Sequence, residues 1–398
     1  MIRSSTSHHS ISFRGRLNGS AADPQAPGLL ELWYFWTAFD VVAIVGGRVV
    51  PVAVSSPTTA PMVSLMSTNL LITGGVLRPD GYELGEGKYY GCGKLIRLNT
   101  VSSAVVELIA MPEGNENFPD VHPNLEFTVG AFDADALWLT TDTEVRHYEY
   151  PSLRLIRTFS HPCFHNIHSV AVRGDEIYVT STGLDMVVVL NKDDGSIVRH
   201  INTEGKPPWH RFSPDIDYRK LHSTRPHDCH PNYVFWVDDE PWVTRCTQED
   251  AVCMSDTNRR IDISGAKRPI SVHDGVVHGD HVYFTTVDGS LVVADARSLE
   301  RIDVIDISAM QGFGGSRGWC RGLYIEGNVG YVGFSRLRKT KRVEKIEWAK
   351  RLLMRGEIVD ESSVLAVDLG ARKIISDFRI PAGMIDAIYT LLPDPGMI

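Results

Sequence analysis

The stretch Arg173-Gly174-Asp175-Glu176-Ile177-Tyr178-Val179-Thr180 decides the fold, because its pattern returns along the whole chain. A Gly-Asp turn leads into a short β-rich run that carries a large residue and ends in Thr or another small residue. Gly, Asn and Asp in such turns supply the positive φ that tight hairpins need. Five further runs have the same form: Leu70–Thr73, Leu137–Thr140, Pro241–Thr244, Val282–Thr285 and Gly330–Gly333.

The spacing of these runs indicates the architecture. If the second residue of each run is taken as an anchor, the successive intervals are 67, 40, 64, 41 and 48 residues. A four-stranded propeller blade takes about 40–45 residues, and strands with turns surround every anchor. We therefore predict an all-β, six-bladed β-propeller. The alternative, a large β-sandwich, would show no long repeat of this kind.

The two ends of the chain lie outside this repeat. Met384–Leu392 forms a strand with no unit of its own, so we expect it to complete the first blade and to remove the open sheet edges. Residues 1–60 contain no repeat, and we expect a partly disordered N-terminal extension there, followed by a propeller domain at residues 61–398. The apolar segment Leu29–Val54 is interrupted by charged residues, which favours a packed helix or strand over a membrane span.

One segment of the last blade breaks the β pattern. Between Arg336 and Arg355 there are nine Lys or Arg residues and only two acidic ones. Five apolar residues fall at helical spacing in this segment: Val343, Ile346, Ala349, Leu352 and Leu353. We predict a basic amphipathic helix inserted at residues 336–355. It either packs on the propeller by its apolar stripe or serves as a lid or a protein-binding element.

Composition excludes several classes of function. The formal net charge is −9 and the pI is about 5.9, so we expect no nucleic-acid partner. The six cysteines form no CxxC pair, and the N-terminus lacks the apolar region of a signal peptide. These features predict a cytoplasmic protein with reduced thiols and no membrane contact. Motifs of serine hydrolases, zinc proteases and phosphate-binding loops are absent from the sequence.

Chemistry-bearing residues recur at one register, ten residues before the anchors. These residues are His168, Asn232, His273 and Arg321, with His230 two residues before Asn232 on the same strand face. In a propeller, these positions begin the innermost strands and converge near the central axis. The equivalents in the first two units, Pro61 and Thr128, offer little chemistry. The pattern predicts a functional pocket, although single histidines also serve to hydrogen-bond backbone in a core.

Two kinds of ligand suit such a pocket. Three imidazoles that converge on one point favour a divalent metal such as Zn, Mn, Fe or Ca, with His168, His230 and His273 as ligands. Several guanidinium groups near one mouth favour a small anionic molecule. We assign catalysis to His230, Arg321 and Asp228, and substrate binding to Arg225, Asn232, Arg268 and Arg336. The alternative for the arginines is that they join blades through salt bridges to Asp228 and Asp274.

The motifs at these positions resemble those of an uncharacterised family of bacterial β-propeller proteins, a domain of unknown function. The resemblance covers roughly residues 62–392. It depends on Cys229-His230-Pro231-Asn232, Arg268-Pro269 through His273, Cys320-Arg321-Gly322-Leu323, Val332-Gly333-Phe334-Ser335-Arg336 and Ile388-Tyr389. Tyr233 stands where the family has a glycine, and Val272-His273 departs from its His-Ser-Pro pattern. More distantly, His165–Asn191 is similar to NHL-type six-bladed propellers, several of which are metal-dependent enzymes.

Two functions remain open at this level. The first is an enzyme, a lyase, isomerase or hydrolase, that acts on a small anionic substrate with a metal or with a histidine as general base. The second is a non-catalytic binding module for a protein or a glycan, which would use a propeller face and the basic helix at 336–355. The resemblance implies the fold and supplies no reaction.

Overall fold

The structure, a computed structural model, describes residues 69–264, 271–315, 317–337, 359 and 361–397, together with a short hairpin near the N-terminus. The chain divides into two compact units, Met1–Ser64 and Leu65–Ile398. In the first unit the described element is an antiparallel hairpin of Val42–Val45 and Arg48–Pro51. This hairpin falls in the apolar segment for which the sequence predicted a packed helix or strand.

The second unit contains six four-stranded antiparallel sheets, which confirms the predicted six-bladed propeller. We number the blades 1 to 6 along the chain and give the strands of each from the innermost outward. Blade 1 consists of Ala387–Pro393, Asn69–Leu77, Tyr90–Asn99 and Val105–Met111. Blade 2 consists of Ala131–Asp133, Ala136–Thr140, Val145–Glu149 and Arg154–Phe159. Blade 3 consists of Ile167–Arg173, Glu176–Ser181, Met186–Asn191 and Ile197–Asn202.

The remaining three blades follow the same order. Blade 4 consists of Pro231–Val237, Glu240–Arg245, Asp250–Cys253 and Arg260–Asp262. Blade 5 consists of Val276–His278, His281–Thr286, Ser290–Asp295 and Arg301–Asp306. Blade 6 consists of Cys320–Glu326, Val329–Phe334, Ser362–Asp368 and Lys373–Ile380. Every anchor run predicted from the repeat lies in the second strand of its blade.

Blade 1 is closed by the C-terminus. Ala387–Pro393 pairs antiparallel with Asn69–Leu77, from Ala387 opposite Gly75 to Pro393 opposite Leu70. The prediction that the last strand completes the first blade is therefore confirmed. Since the innermost strand of this blade comes from the far end of the chain, no open edge is left between blades 1 and 6.

The hydrophobic core lies between the faces of neighbouring blades. Strand alternation turns every second residue of a blade toward each neighbour. Between blades 6 and 1, Val364 and Phe378 pack against Leu70, Ile72 and Ile388 in one buried cluster. The cluster between blades 2 and 3 is of the same kind, with Trp138 packed against Val188. The blades are thus joined by apolar contact, and the axis is free for polar side chains.

Helix is scarce in the described residues. They contain one short α-helix, Gly81–Leu84, and four 3-10 turns, Thr182–Leu184, Tyr218–Lys220, Ile307–Ala309 and Pro395–Met397. The helix predicted at residues 336–355 falls almost entirely outside the described residues, and the described part of blade 6 gives it no support. In the described part of the chain, no helix has the length and apolarity needed to cross a membrane.

We expect that deleting residues 1–58 leaves a propeller that unfolds cooperatively. All 24 strands of the six blades lie between Asn69 and Pro393, and the closing strand comes from the C-terminus. Thermal unfolding of the truncated chain, followed by circular dichroism, checks this. Loss of the sharp transition would show that blade 1 needs the first unit.

Candidate functional site: a polar cluster at the axis

Side chains from five blades meet where the innermost strands begin. The ring centre of His168, in blade 3, lies 5.0 Å from that of His230, 6.2 Å from that of His273 and 6.3 Å from that of Tyr389. The guanidinium carbon of Arg321 lies 4.8 Å from the ring centre of Tyr389. We call these five residues and Asn232, the register residue of blade 4, the axial cluster. The geometry thus brings together the three histidines and the arginine that the repeat placed in one register.

A bulge at the same point of several blades turns these residues toward the axis. The pairing between the innermost and second strands shifts register between Ile167 and Val170 in blade 3. The same shift occurs between Pro231 and Val234, between Cys320 and Leu323, and between Ile388 and Thr390. His168, Asn232, Arg321 and Tyr389 lie inside these four irregularities. A bulge redirects a side chain that regular pleating would place against a neighbouring strand.

Arg321 is the most unusual member of the axial cluster. Its side chain is held between two aromatic rings, since the guanidinium carbon lies 4.7 Å from the ring centre of Trp319 and 4.8 Å from that of Tyr389. The residue is only 6% exposed. In the described part of the chain, Nε of Arg321 has no hydrogen-bond partner and no carboxylate forms an ion pair with the guanidinium. A buried cation that forms no ion pair is unfavourable by several kcal/mol, on the order of the effective burial penalty of a single ion. Its charge does reach the buried carboxylate of Asp274, whose pKa is raised by burial and partly lowered by Arg321.

The protonation of His168 follows from its contact with the backbone. Nδ1 lies 3.0 Å from the carbonyl oxygen of Asn166. Because a carbonyl only accepts hydrogen bonds, Nδ1 carries the proton in the neutral ring. Burial lowers the pKa of His168 to about 3, and the charge of Arg321 adds to this. His168 is therefore neutral at pH 7, with a lone pair on Nε2.

A chain of hydrogen bonds gives His230 the same tautomer as His168, with the proton on Nδ1. The hydroxyl of Thr224 donates to the carbonyl of Gly183, so it can only accept from Nε2 of His227, which lies 3.4 Å away. Burial lowers the pKa of His227 to about 4, so this ring is neutral and its Nδ1 is an acceptor. Nδ1 of His230, at 2.6 Å, must then donate to it. Burial lowers the pKa of His230 well below its usual value, which leaves Nε2 with a lone pair.

The metal site predicted from the three histidines is not shown. The ring separations of 5.0 Å and 6.2 Å are short enough for a shared ion, since each metal–nitrogen bond is about 2.0–2.1 Å long. In the part of the chain that the structure describes, however, no group of three or more His, Cys, Asp or Glu side chains is arranged to hold a metal ion.

Two positions at the axis were given no role by the sequence analysis, although Ile388-Tyr389 is one of its motifs. Tyr389 occupies the register of blade 1, which the ten-residue count had assigned to Pro61. Burial raises the pKa of Tyr389 well above its usual value, and the charge of Glu126 adds to this effect. Glu126 is itself buried and accepts a 2.7 Å hydrogen bond from Nδ2 of Asn124. Tyr389 lies on the strand that closes blade 1, and Glu126 stands two residues before Thr128. A search of those two segments would have found both residues.

Two other arginines assigned from the sequence, Arg225 and Arg336, form ion pairs with carboxylates of the chain. Arg225 forms an ion pair with Glu86 and is exposed, although its charge helps to lower the pKa of His168 and His230. Nη1 of Arg336 lies 3.2 Å from Oδ1 of Asp386. Arg268 lies outside the described residues.

Asp228 is not brought into the axial cluster. Its carboxylate lies 3.1 Å from Nη1 of Arg211 and 3.7 Å from Nζ of Lys206. Asp228 thus forms salt bridges, although its arginine partner is Arg211 rather than one of the arginines assigned from the sequence. Its catalytic role stays a prediction.

Asp185 positions His230 and carries no sequence signal of its own. This buried carboxylate accepts 3.0 Å hydrogen bonds from the backbone N–H groups of Asp228, Cys229 and His230. Three successive N–H groups aimed at one carboxylate hold the segment that leads into blade 4. His230 has a φ of 54°, a left-handed conformation that a non-glycine residue adopts only when its surroundings enforce it. Asp185 supplies that enforcement.

We expect Asp185→Ala to lower the free energy of unfolding by about 3 kcal/mol or more, because three N–H groups lose their acceptor. Asp185→Asn should be milder by about 1–2 kcal/mol, since the amide oxygen can still accept from Cys229 and His230. Asparagine also tolerates the φ of 55° at this position better than alanine does. Urea unfolding of the two variants measures the difference, and equal losses would contradict the role of Asp185 as an acceptor.

The cysteines beside the axial cluster are unsuited to nucleophilic attack. All six cysteines are free. Burial raises the pKa of Cys163 to about 12, and it also raises the pKa values of Cys229 and Cys320 well above the usual value of a thiol. Since the thiolate is the nucleophile, these thiols are inert near neutral pH.

Acid should destabilise the propeller through its buried neutral histidines. His165 is 3% exposed, and burial lowers its pKa to about 4 from about 6.5 in the unfolded chain. A lowered pKa gives stability that is present above pH 6.5 and is lost as the pH falls toward 4. Asp142 and Asp274, whose pKa values burial raises to about 6, act in the opposite direction in that window.

A matched pair of variants isolates this contribution. Between pH 6.5 and pH 4.5, the wild-type chain should lose about 1 kcal/mol per pH unit more than His165→Gln, which has no imidazole to protonate. The control is His210→Gln, at an exposed histidine, and it should follow the wild type. Urea unfolding at a series of pH values measures the slopes. A His165→Gln slope equal to that of the wild type would rule out this histidine as an acid-sensitive group.

The fold and the axial cluster define a class: six-bladed β-propellers with a cluster of buried polar side chains at the axis. The chain matches no protein-family model and no curated protein. It is similar to a solved protein of unknown function from Bacteroides caccae, at 10% identity over 83% of this chain and 100% of that one, with a TM-score of 0.52. It is also similar to a chain of a nidogen/laminin complex, at 12% identity over 82% and 98% of the two chains, with a TM-score of 0.50.

At these identities the likeness shows the fold alone. The resemblances to a bacterial family and to NHL-type propellers, expected from the motifs, stay predictions. Propellers host unrelated activities, so the function has to be argued from the axial cluster itself.

Proposed function

We propose that the protein is an enzyme that acts on a small anionic molecule, which Arg321 holds in the axial cluster. The observation that carries this proposal is the buried guanidinium without an ion pair or a hydrogen bond in the described residues. A carboxylate matches the guanidinium fork with two parallel hydrogen bonds and supplies the missing charge. Asp274, the nearest candidate from the chain itself, is instead bound by the hydroxyl of Thr285 and the backbone N–H of Gly322.

The lone pairs on Nε2 of His168 and His230 supply the chemistry. In the empty site each imidazole is a weak base, because burial lowers its pKa far below neutrality. A bound anion offsets the charge of Arg321, which is one cause of the low pKa of both rings. Substrate binding would therefore raise the pKa of the base toward the working pH. Many lyase and isomerase reactions begin with removal of a proton from carbon by such a base, and many hydrolases use one to take a proton from the attacking water.

A deuterium-exchange experiment tests catalysis. The wild-type protein is incubated in D2O with a panel of 2-hydroxy, 2-amino and 2-oxo acids. Proton NMR follows the C–H group next to the carboxylate in the first two kinds of acid, and the C–H group next to the carbonyl in the 2-oxo acids. Loss of that signal with the wild type, and its persistence with His168→Gln and His230→Gln, supports the enzyme. Binding without exchange or product, for every acid of the panel, contradicts catalysis by proton abstraction from carbon.

A metal-dependent form of the reaction is a second candidate. The observation that favours it is that the imidazoles of His168 and His230 are neutral, so each can bind a metal ion without first losing a proton. His168, His230 and His273 would be the ligands, for Zn, Mn, Fe or Ca, and Arg321 would not coordinate. Elemental analysis of the purified protein tests this. One equivalent of metal that is lost in His230→Ala supports the site, and a metal-free wild type that turns over substrate contradicts it.

The alternative function is a non-catalytic binding module for a protein or a glycan. Its support is the basic sequence at residues 336–355, which lies mostly outside the described residues. Charge reversal at Lys341, Arg342 and Lys345 would weaken such a module and leave the binding of small anions unchanged. If that variant retains every interaction of the wild type, the module hypothesis fails.

A further inference from the structure

The axial cluster contains hydrogen-bond acceptors without donors, and a simple anion, which has no donor groups, cannot pair with them. Asn232 is 1% exposed, and its Nδ2 donates a 2.7 Å hydrogen bond to the carbonyl of Val272 in the segment leading into blade 5. Its Oδ1 has no hydrogen-bond partner in the described residues. The amide cannot be reversed to remove this acceptor, because its oxygen would then face the oxygen of Val272. A buried acceptor without a donor is unfavourable, and a ligand is the natural source of that donor.

The two imidazoles add acceptors of the same kind. Nδ1 of His168 is occupied by Asn166, and Nδ1 of His230 is occupied by His227. Each ring therefore presents Nε2 as an acceptor, and the ring centres lie 5.0 Å apart. Asn232, from the bulge of blade 4, follows His230 by two residues. Three acceptors and one unpaired cation thus gather around the start of blades 3, 4 and 6.

We infer that the ligand is a hydroxycarboxylic acid, with a carboxylate on Arg321 and hydroxyl groups that donate to Asn232 and to the Nε2 atoms of His168 and His230. This inference rests on the proposed function, because it needs Arg321 to bind the carboxylate. It adds the chemistry of the rest of the molecule. A site that hydrogen-bonds hydroxyl groups rejects an analogue without them, since the buried acceptors are then left unpaired.

Pairs of acids with equal carbon chains test the inference on the full-length protein. The probes are propanoate and 2,3-dihydroxypropanoate, and butanoate and 2,3,4-trihydroxybutanoate, measured by isothermal titration calorimetry. We expect each hydroxylated acid to bind the wild type at least about tenfold more tightly than its plain partner. Asn232→Leu and His168→Phe should each reduce this ratio several-fold, and the ratio of the two affinities within each variant is the quantity compared. The second variant keeps the test valid if the first does not fold.

The outcomes separate this inference from the proposed function. If plain and hydroxylated acids bind equally and Arg321→Gln abolishes both, the inference is overturned and anion binding by Arg321 is retained. If the hydroxylated acids bind more tightly but Asn232→Leu and His168→Phe leave the ratio unchanged, the assigned acceptors are wrong. If no acid binds, or if binding is indifferent to Arg321→Gln, the proposed function fails and this inference fails with it.

Discussion

Replacing Arg321 with glutamine should weaken the binding of carboxylates about 100-fold while the propeller becomes slightly more stable. The loss of affinity corresponds to two charge-assisted hydrogen bonds, which together contribute about 3 kcal/mol. The gain in stability follows because the variant removes a buried charge that has no ion pair in the described residues. The stacking of the guanidinium on Trp319 and Tyr389 offsets part of this gain, so we expect about 1 kcal/mol.

Arg317 provides the matched control, four residues earlier in the chain. It is 5% exposed, about as buried as Arg321. Its Nη2 lies 2.6 Å from Oδ2 of Asp377, and its Nη1 donates to the hydroxyl of Ser363. Arg317→Gln should lower the free energy of unfolding by about 2 kcal/mol, because the carbonyl of Phe313 loses its two donors and Asp377 is left with Arg379 alone. Anion binding should be unchanged.

Calorimetric titration and urea unfolding measure both variants. The signature of the proposed site is opposite behaviour: affinity falls in Arg321→Gln alone, and stability falls in Arg317→Gln alone. If Arg321→Gln destabilises the protein as much as Arg317→Gln does, then Arg321 is structural and the site has lost its main support.

Deleting the C-terminal strand, from Ala387 onward, should abolish cooperative folding. The deletion removes the innermost strand of blade 1 and its pairing with Asn69–Leu77. It also removes Ile388, Tyr389 and Leu391, whose side chains are buried. Each buried side chain contributes about 2 kcal/mol, and an unpaired edge adds to the loss. The sum approaches the total stability of about 5–15 kcal/mol that is typical of a domain.

Smaller changes keep this prediction testable when the truncated chain is insoluble. Ile388→Ala should lower the free energy of unfolding by about 2–5 kcal/mol, because it leaves a cavity between blades 6 and 1. Val106→Ala, on the exposed outer strand of the same blade, should have almost no effect. Urea unfolding followed by tryptophan fluorescence measures both. A truncation that unfolds like the full chain would show that blade 1 does not depend on closure.

The register of the axial residues could be predicted because it is a local property. His168, Asn232, His273 and Arg321 each stand ten residues before an anchor, and the strand-turn-strand unit that sets this distance is complete within one stretch of sequence. Tyr389 has the same role but belongs to a strand about 320 residues from its partner strand. The prediction of closure implied its position, yet a count along contiguous sequence led to Pro61.

The partners of individual side chains could not be predicted. Asp228 and Asp185 are both aspartates near His230 in space, but only Asp228 is near it in sequence. Asp228 pairs with Arg211 and Lys206, whereas Asp185 accepts from three backbone N–H groups of the segment before blade 4 and also pairs with Arg211. Likewise, Arg317 and Arg321 look alike in the sequence, and of the two only Arg317 forms an ion pair with a carboxylate in the described residues.

The sequence by itself determined the number of blades, the strand that closes the ring and the register at which polar residues reach the axis. These features follow from periodicity, since hydrophobic alternation and turn residues act over a few neighbours and repeat in every unit. Only the tertiary structure decided which charges are neutralised, which imidazole nitrogen carries the proton and which acceptors are left for a ligand. Those properties depend on atoms from several blades that meet within a few ångströms, and burial there sets the energy of every unpaired group.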